Sequence, residues 1–201
     1  MARLPRLFVL GTLLTAVCLS ACSSLSFSGG SPAMVSPVTG DRFSPSLPTR
    51  VFTPSQAGVA DYYLTDLPKE VLAGGGAGGD LSHATGTIVH VHLFTKPRAG
   101  STPIATDATT AIIRVYVLTG GQAGLYGGGG FFSPSGSVDG KEAGGSTRSA
   151  TLHLTQATKG FEDAIGPTEF SGSFHARRDD ATCERLRLIT QALEGAMEQV
   201  E

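Results

Sequence analysis

The sequence has no tryptophan and no asparagine, and only 16% of its 201 residues are charged. Its 15 Lys and Arg residues and 17 Asp and Glu residues leave a formal net charge of −2, so no excess positive charge is available to attract nucleic acid. The hydrophobic share of 40% is too large for a fully disordered chain, and 27 glycines with 11 prolines are too many for a helical bundle. The composition therefore predicts a single globular domain with many turns.

The first 22 residues have the layout of an export signal. Arg3 and Arg6 precede an apolar run over residues 7–17, which is shorter than the roughly 20 residues that a membrane-spanning helix needs. The run ends in Leu19-Ser20-Ala21-Cys22, which resembles the lipobox of bacterial lipoproteins. The resemblance implies a signal peptide over residues 1–21 and acylation of the Cys22 sulfur and amino group. The alternative is an ordinary signal peptide that is cleaved at about the same place.

The lipobox resemblance also implies a location. A protein held by more than one acyl chain stays on a membrane, because each buried methylene contributes about 0.8 kcal/mol. Ser23, rather than Asp, follows the cysteine, and in the sorting pattern of double-membraned bacteria this favours the outer membrane over the inner one. We therefore expect a lipid-anchored protein of the cell envelope, whose partners are the membrane and an envelope protein or a polysaccharide.

Composition divides the exported chain into a spacer and a domain. Residues 22–60 are rich in Ser, Pro and Gly without a lasting apolar period, which predicts a flexible tether in which residues 51–52 could pair as a short strand. Residues 61–201 hold the predicted domain. Apolar and polar residues alternate in four of its segments, which predicts an antiparallel β-sandwich or open barrel. These segments are residues 85–95, 111–118, 150–157 and 169–177.

A one-sided helix is predicted at the C-terminal end of this domain. Asp179 or Asp180 can cap it, and its apolar residues recur at steps of three and four. These residues are Leu186, Ile189, Leu193, Met197 and Val200. Covering the sheet is the simplest use of such a face, and a short coiled coil is the alternative. Cys183, on the same stretch, is expected to be a small buried hydrophobe rather than a reactive thiol.

Two glycine-rich stretches, residues 74–79 and 120–130, predict loops. The first has the spacing G-x-G-x-x-G, but a strand rather than a helix follows it, so phosphate binding is not expected. The second holds Tyr126 and runs into Phe131 and Phe132. One hypothesis is a rim that contacts a ligand or partner through these rings. The alternative, which we favour, is that the phenylalanines fold into the core while the glycines make the bends.

Four histidines fall on the predicted strands, on the face opposite the more consistently apolar one. They are His90, His92, His153 and His175. His90 and His92 share a face, so an adjacent strand from the 150s or 170s would bring three imidazoles together. With an Asp or Glu, such a cluster is a candidate zinc or copper site, and solvated strand residues are the alternative.

No catalytic motif occurs in the chain: it has no Gly-x-Ser-x-Gly elbow, no His-Glu-x-x-His helix and no Cys-x-x-Cys pair. The acids near the start of the domain, Asp61, Asp66 and Glu70, are interpreted as a solvated face. The sequence therefore favours a non-catalytic binding or structural module, with a metal-binding domain or an envelope hydrolase as the alternative. An exposed apolar patch on the sheet would indicate the first, and a converging histidine cluster would indicate a metal protein.

Overall fold

The computed structural model describes residues 30–56, 59–74, 81, 83–94 and 109–200. The expected leader with Cys22 lies outside these residues, and so do residues 75–80 of the first glycine-rich stretch. No helix in the described parts of the chain is long and apolar enough to cross a bilayer.

The protein is mainly β-sheet with a long helix at its C-terminal end, which confirms the predicted fold class. The strands are β1 (Ala33–Val35), β2 (Arg42–Phe43), β3 (Thr49–Gln56), β4 (Val59–Thr65), β5 (Thr85–Leu93), β6 (Ala111–Thr119), β7 (Ala123–Gly136), β8 (Glu142–Ala157), β9 (Thr168–Arg178) and β10 (Glu198–Gln199). The helices are α1 (Lys69–Ala73) and α2 (Asp180–Ala196). All four alternating segments form strands.

The ten strands of the described residues belong to one sheet, in the order β10-β8-β7-β6-β5-β4-β3-β9-β1-β2. Because β9 also pairs with β8, the sheet curls back on itself. The contact of β3 with β9 consists of two parallel pairs, Val51 with Arg177 and Phe52 with Arg178. Every other pairing between described strands is antiparallel. Of the two predicted architectures, the open barrel describes this sheet.

The curled sheet has an interior core on one face. Its centre is a group of four aromatic rings with centroids 5.5 to 5.7 Å apart, a separation at which rings attract through their quadrupoles. These rings belong to Phe52, Tyr62, Phe132 and Phe174. Val89 and Val91 of β5 point into the same core, as their alternation predicts.

A second core lies between the outer face of the sheet and α2. Asp179 caps the helix, because its carboxylate accepts a hydrogen bond of 2.9 Å from the Thr182 backbone N–H. The predicted apolar stripe covers the sheet through Leu186, Ile189 and Leu193, which are all buried. The predicted burial of Cys183 is confirmed as well. The helix ends before Val200, which is 44% exposed and lies outside the stripe.

The expectation of a flexible tether over residues 22–60 is wrong for residues 33–56, whereas the short strand expected at residues 51–52 is part of β3. This segment forms β1, β2 and β3, and Met34, Leu47 and Phe52 are buried in the interior core. The pattern hides these strands because their apolar residues are isolated and β1 has its longer pairing with a strand that is distant in sequence. Met34 of β1, for example, pairs with Phe170 of β9. The folded domain therefore begins well before Asp61.

The second glycine-rich stretch is a strand rather than a loop, since β7 contains most of it. A Cβ atom on Gly128 would overlap the carbonyl oxygen of Thr151 on β8, and one on Gly130 would lie 2.7 Å from the Cβ of Ala150. The pairing of β7 with β8 shifts register on both sides of this segment. The glycines therefore permit a close approach of two irregular strands rather than a bend in a loop.

Candidate metal centre

Two neighbouring strands place two histidines and one aspartate on the outer face of the sheet. In the antiparallel pair of β4 and β5, Asp61 lies opposite His92 and Tyr63 lies opposite His90. Alternate residues of a strand share a face, so these four side chains form one patch. Tyr63 belongs to the core under α2, while the other three lie at the edge of that covered area.

One carboxylate oxygen joins the two imidazoles. Asp61 Oδ1 lies 2.8 Å from His90 Nε2 and 2.8 Å from His92 Nδ1. As hydrogen bonds, both ring N–H groups donate to this oxygen. The three potential ligand atoms lie within 4.8 Å of one another, and no further His, Cys, Asp or Glu of the described residues joins the group.

The surroundings of the cluster hold it in place and leave one side open. Tyr63 stacks on His90 with ring centroids 4.4 Å apart and an angle of 3° between the planes, and His90 is buried. The side chains of His92 and Asp61 are 33% and 21% exposed. An ion from solvent can therefore reach the cluster from the side of His92.

The electrostatics favour the form of Asp61 that binds a cation. Burial acts to raise the pKa of Asp61, but the hydrogen bonds from His90 and His92, and the charge of these rings when protonated, lower the pKa below 3.8. The carboxylate is therefore ionised at neutral pH. A metal ion needs this ionised form and would displace the ring protons that now point at Oδ1.

The donor set suits a borderline divalent metal such as zinc or copper, which binds imidazole nitrogen and carboxylate oxygen together. Metal–ligand distances of about 2.0 Å in a tetrahedral site put ligand atoms about 3.3 Å apart. The separations of 2.8 Å between the ligand atoms of Asp61 and each histidine fall short of this value by about half an ångström. Small side-chain rotations would thus admit an ion, so the residues fit a metal.

The other two histidines of the predicted cluster lie elsewhere on the same face. His153 shares a cross-strand row with His90, but β6 and β7 lie between them. His175 is on β9, which is separated from β5 by β3 and β4. Each is roughly 14 Å from β5 at the usual strand spacing, and both are exposed. Alternation thus correctly predicted that the four histidines share one face of the sheet. The strand order places Asp61, rather than His153 or His175, beside His90 and His92.

Periodicity did not indicate Asp61 as a partner of the histidines. The available signal was the aromatic and aliphatic run Tyr62-Tyr63-Leu64, which is typical of a strand, and strands that follow one another in the chain usually lie side by side in a sheet. The segment was interpreted as the entrance of the domain, so its acid was assigned to solvent.

The three aromatic residues of the second glycine-rich stretch do not form an exposed rim. Tyr126 and Phe132 lie in the interior core, and Phe131 is half-buried. The Tyr126 hydroxyl donates a hydrogen bond of 2.6 Å to Asp163 Oδ1. Burial together with this hydrogen bond raises the pKa of Tyr126, so the hydroxyl stays protonated and acts as a structural donor.

Three protein ligands leave a coordination position that an exogenous ligand can occupy, as in zinc sites that exchange a bound molecule. The arrangement of Asp61, His90 and His92 can therefore hold an ion and still bind a further ligand on the exposed side. No protein-family model matches the chain, and no curated protein or solved structure matches it either.

Proposed function

We propose that this protein is a lipid-anchored lipoprotein of the bacterial cell envelope whose domain binds a divalent transition metal, zinc or copper, through Asp61, His90 and His92. The observation that carries the metal proposal is the meeting of three ligand atoms within 4.8 Å on two adjacent strands. The lipobox-like sequence ending in Cys22 supports the lipid anchor. The domain is a binding module rather than an enzyme in this proposal.

The rigid placement of the ligands favours a metal over a purely structural hydrogen-bond cluster. Both histidines and the aspartate lie within paired strands, and the ring of Tyr63 fixes the plane of His90. Because the ligands are already ordered, ion binding costs little further conformational entropy. One histidine would be enough to pair with the half-buried carboxylate in a structural role, whereas here two imidazoles converge on one of its oxygens.

The metal proposal is tested by titrating the full-length protein, purified in detergent, with Zn²⁺ and Cu²⁺ in a calorimeter. We expect one ion per chain with micromolar or tighter affinity. The variant His92→Ala, which removes the most exposed ligand, should bind at least about tenfold more weakly, because it loses one of three ligands. His153→Ala is the matched control, since His153 is exposed on the same face outside the cluster.

Two results would overturn the metal proposal. One is wild-type binding that is weaker than micromolar for both ions. The other is an equal loss of affinity in His92→Ala and His153→Ala, which would indicate binding to scattered surface histidines. Thermal unfolding of each variant without metal shows whether the fold is retained.

The lipid anchor is tested with Cys22→Ser in a bacterial host, because acylation requires the cysteine sulfur. We expect wild-type protein in the membrane fraction, with a mass that includes acyl chains and a mature chain that starts at Cys22. The variant should lose both properties. A soluble, unmodified wild-type protein that starts at another residue would support the ordinary signal peptide instead. Separation of inner and outer membranes by density tests the location that Ser23 favours.

A further inference from the structure

A shallow groove adjoins the candidate metal centre on the outer face of the sheet. Two cross-strand rows run from the centre across β6 to β7: His92, Ile112 and Gly129 form one, and His90, Arg114 and Gly127 form the other. The two β7 residues in these rows are glycines and carry no side chain, and the threonines Thr155 and Thr109 lie beside them. The groove has a volume of about 370 Å³, and its lining includes Ile112, Arg114, Gly127, His153 and Glu194.

Arg114 brings a positive charge to this groove. It lies directly opposite His90 on the neighbouring strand, is half-buried, and forms no ion pair with any residue in the described parts of the chain. Glu194 lines the same groove, but its carboxylate accepts the hydrogen bond of the Tyr116 hydroxyl. A half-buried guanidinium without a carboxylate partner is a ready site for an oxyanion.

The metal itself would add to this positive charge. Two neutral histidines and one carboxylate leave a divalent ion with a net charge of plus one and an open coordination position. Cross-strand neighbours have Cβ atoms about 5 Å apart, so an anion bound to the metal at His90 lies within reach of the Arg114 side chain. One carboxylate oxygen can bind the metal while the other accepts hydrogen bonds from the guanidinium.

Apolar side chains flank the same position. Ile112, directly opposite His92, is 39% exposed, and Phe94, two residues after His92, is 40% exposed. They are two of the four large hydrophobic side chains that are exposed among the described residues. A ligand that carries an apolar body behind its anionic group would cover Ile112, and an inorganic anion would leave it in water.

We infer that the metal-loaded centre binds a small organic carboxylate, whose oxygens are shared between the metal and Arg114 and whose apolar body lies on Ile112 over the glycines of β7. This inference rests on the metal site proposed above. Binding is a ligand exchange in which a carboxylate oxygen replaces a metal-bound water, and no bond of the carboxylate breaks. Arg114 and Ile112 are the residues that determine specificity.

The test uses full-length protein loaded with Co²⁺, whose visible spectrum reports a change of ligand. Acetate, hexanoate and inorganic phosphate are titrated in turn. We expect hexanoate to shift the spectrum at the lowest concentration. Arg114→Gln should weaken hexanoate binding about tenfold or more, because charge-assisted hydrogen bonds are lost, while Co²⁺ affinity stays within about twofold. Arg185→Gln, on the exposed side of α2, is the control and should behave as wild type.

A second variant separates the apolar contribution. In Ile112→Ser the preference for hexanoate over acetate should disappear while acetate affinity is kept. The inference is overturned if Co²⁺ binds but hexanoate leaves the spectrum unchanged, if Arg114→Gln binds hexanoate as tightly as wild type, or if phosphate binds more tightly than both carboxylates. These results leave the proposed metal site standing. A failure of Co²⁺, Zn²⁺ and Cu²⁺ to bind overturns both proposals.

Discussion

The same substitution, glycine to alanine, is predicted to have opposite effects at two positions of this fold. At Gly128 on β7, an added Cβ would overlap the Thr151 carbonyl oxygen and would also lie 3.0 Å from the Cδ2 atom of Leu152. The Thr151 carbonyl oxygen belongs to the backbone of a paired strand, so it cannot rotate away as the end of a long side chain can. At Gly195 on α2, nothing lies within 4 Å of the added atom.

The magnitudes follow from these surroundings. Overpacking against backbone costs about 3 kcal/mol, the upper end of the usual range, and the lower entropy of the unfolded chain returns about 0.4 to 1 kcal/mol, so Gly128→Ala should lower the free energy of unfolding by about 2 kcal/mol. Gly195→Ala should raise it by about 0.5 to 1 kcal/mol, because alanine is the better helix former. For a domain of this size each kcal/mol changes the melting temperature by about 2 to 4 °C.

Thermal unfolding of the two variants and wild type, followed by circular dichroism, measures these changes. We expect a melting temperature about 4 to 8 °C lower for Gly128→Ala and slightly higher for Gly195→Ala. If Gly128→Ala melts at the wild-type temperature, β7 and β8 do not approach as closely as described. If both variants shift equally, the effect comes from the unfolded chain and the packing argument fails.

Three further predictions concern α2. Leu186→Ala should lower the free energy of unfolding, measured by chemical denaturation, by about 2 to 5 kcal/mol, because Leu186 is fully buried. Leu188→Ala, outside the buried stripe, should lower it far less. Equal losses would mean that α2 does not pack as described. Burial raises the pKa of the Cys183 thiol to about 12. Iodoacetamide at neutral pH should therefore alkylate Cys183 roughly a thousandfold more slowly than an ordinary thiol. Rapid labelling of Cys183 in the folded protein, seen by mass spectrometry, would contradict this. The hydrogen bond from the Thr182 backbone N–H lowers the pKa of Asp179 below 3.8, so its stabilising effect is present above that value and is lost as the pH falls through the lower folded-state pKa. Asp179→Ala should therefore cost about 1 kcal/mol at pH 7 and much less in strong acid, and a melting-temperature difference from wild type that does not depend on pH would contradict the cap.

Local periodicity was sufficient to predict the central strands and the helix. In β5 the alternation of Val89 and Val91 with His90 and His92 is strict, and each set lies on the predicted face. The N-terminal strands could not be predicted in this way, because β1 and β2 are only three and two residues long and β1 pairs with the distant β9. The glycine-rich β7 was missed for a different reason: its residues permit close strand contact, and glycine has no side chain that reports a face.

For the candidate site, the sequence predicted two of the three ligands, His90 and His92. The i and i+2 spacing of His90 and His92 fixes them on one face, but the residue beside them depends on which strand pairs with β5. That choice is made by the topology of the whole sheet, in which β4 and β6 take the two positions. His153 was therefore assigned to a cluster that it does not join, and Asp61 was assigned to solvent.

The position of β9 has a consequence for how the chain reaches its fold. This strand pairs with β1, β3 and β8, so the first and middle parts of the sheet both need residues from the last quarter of the chain. Contacts between distant segments form slowly, because the entropy of closing a long loop must be overcome before they stabilise anything. β1 and the outer edge of β3 therefore lack this partner until residues 168–178 have emerged. For the exported lipoprotein proposed above, this order would favour passage across a membrane as an extended chain, because the sheet is completed only after β9 has crossed.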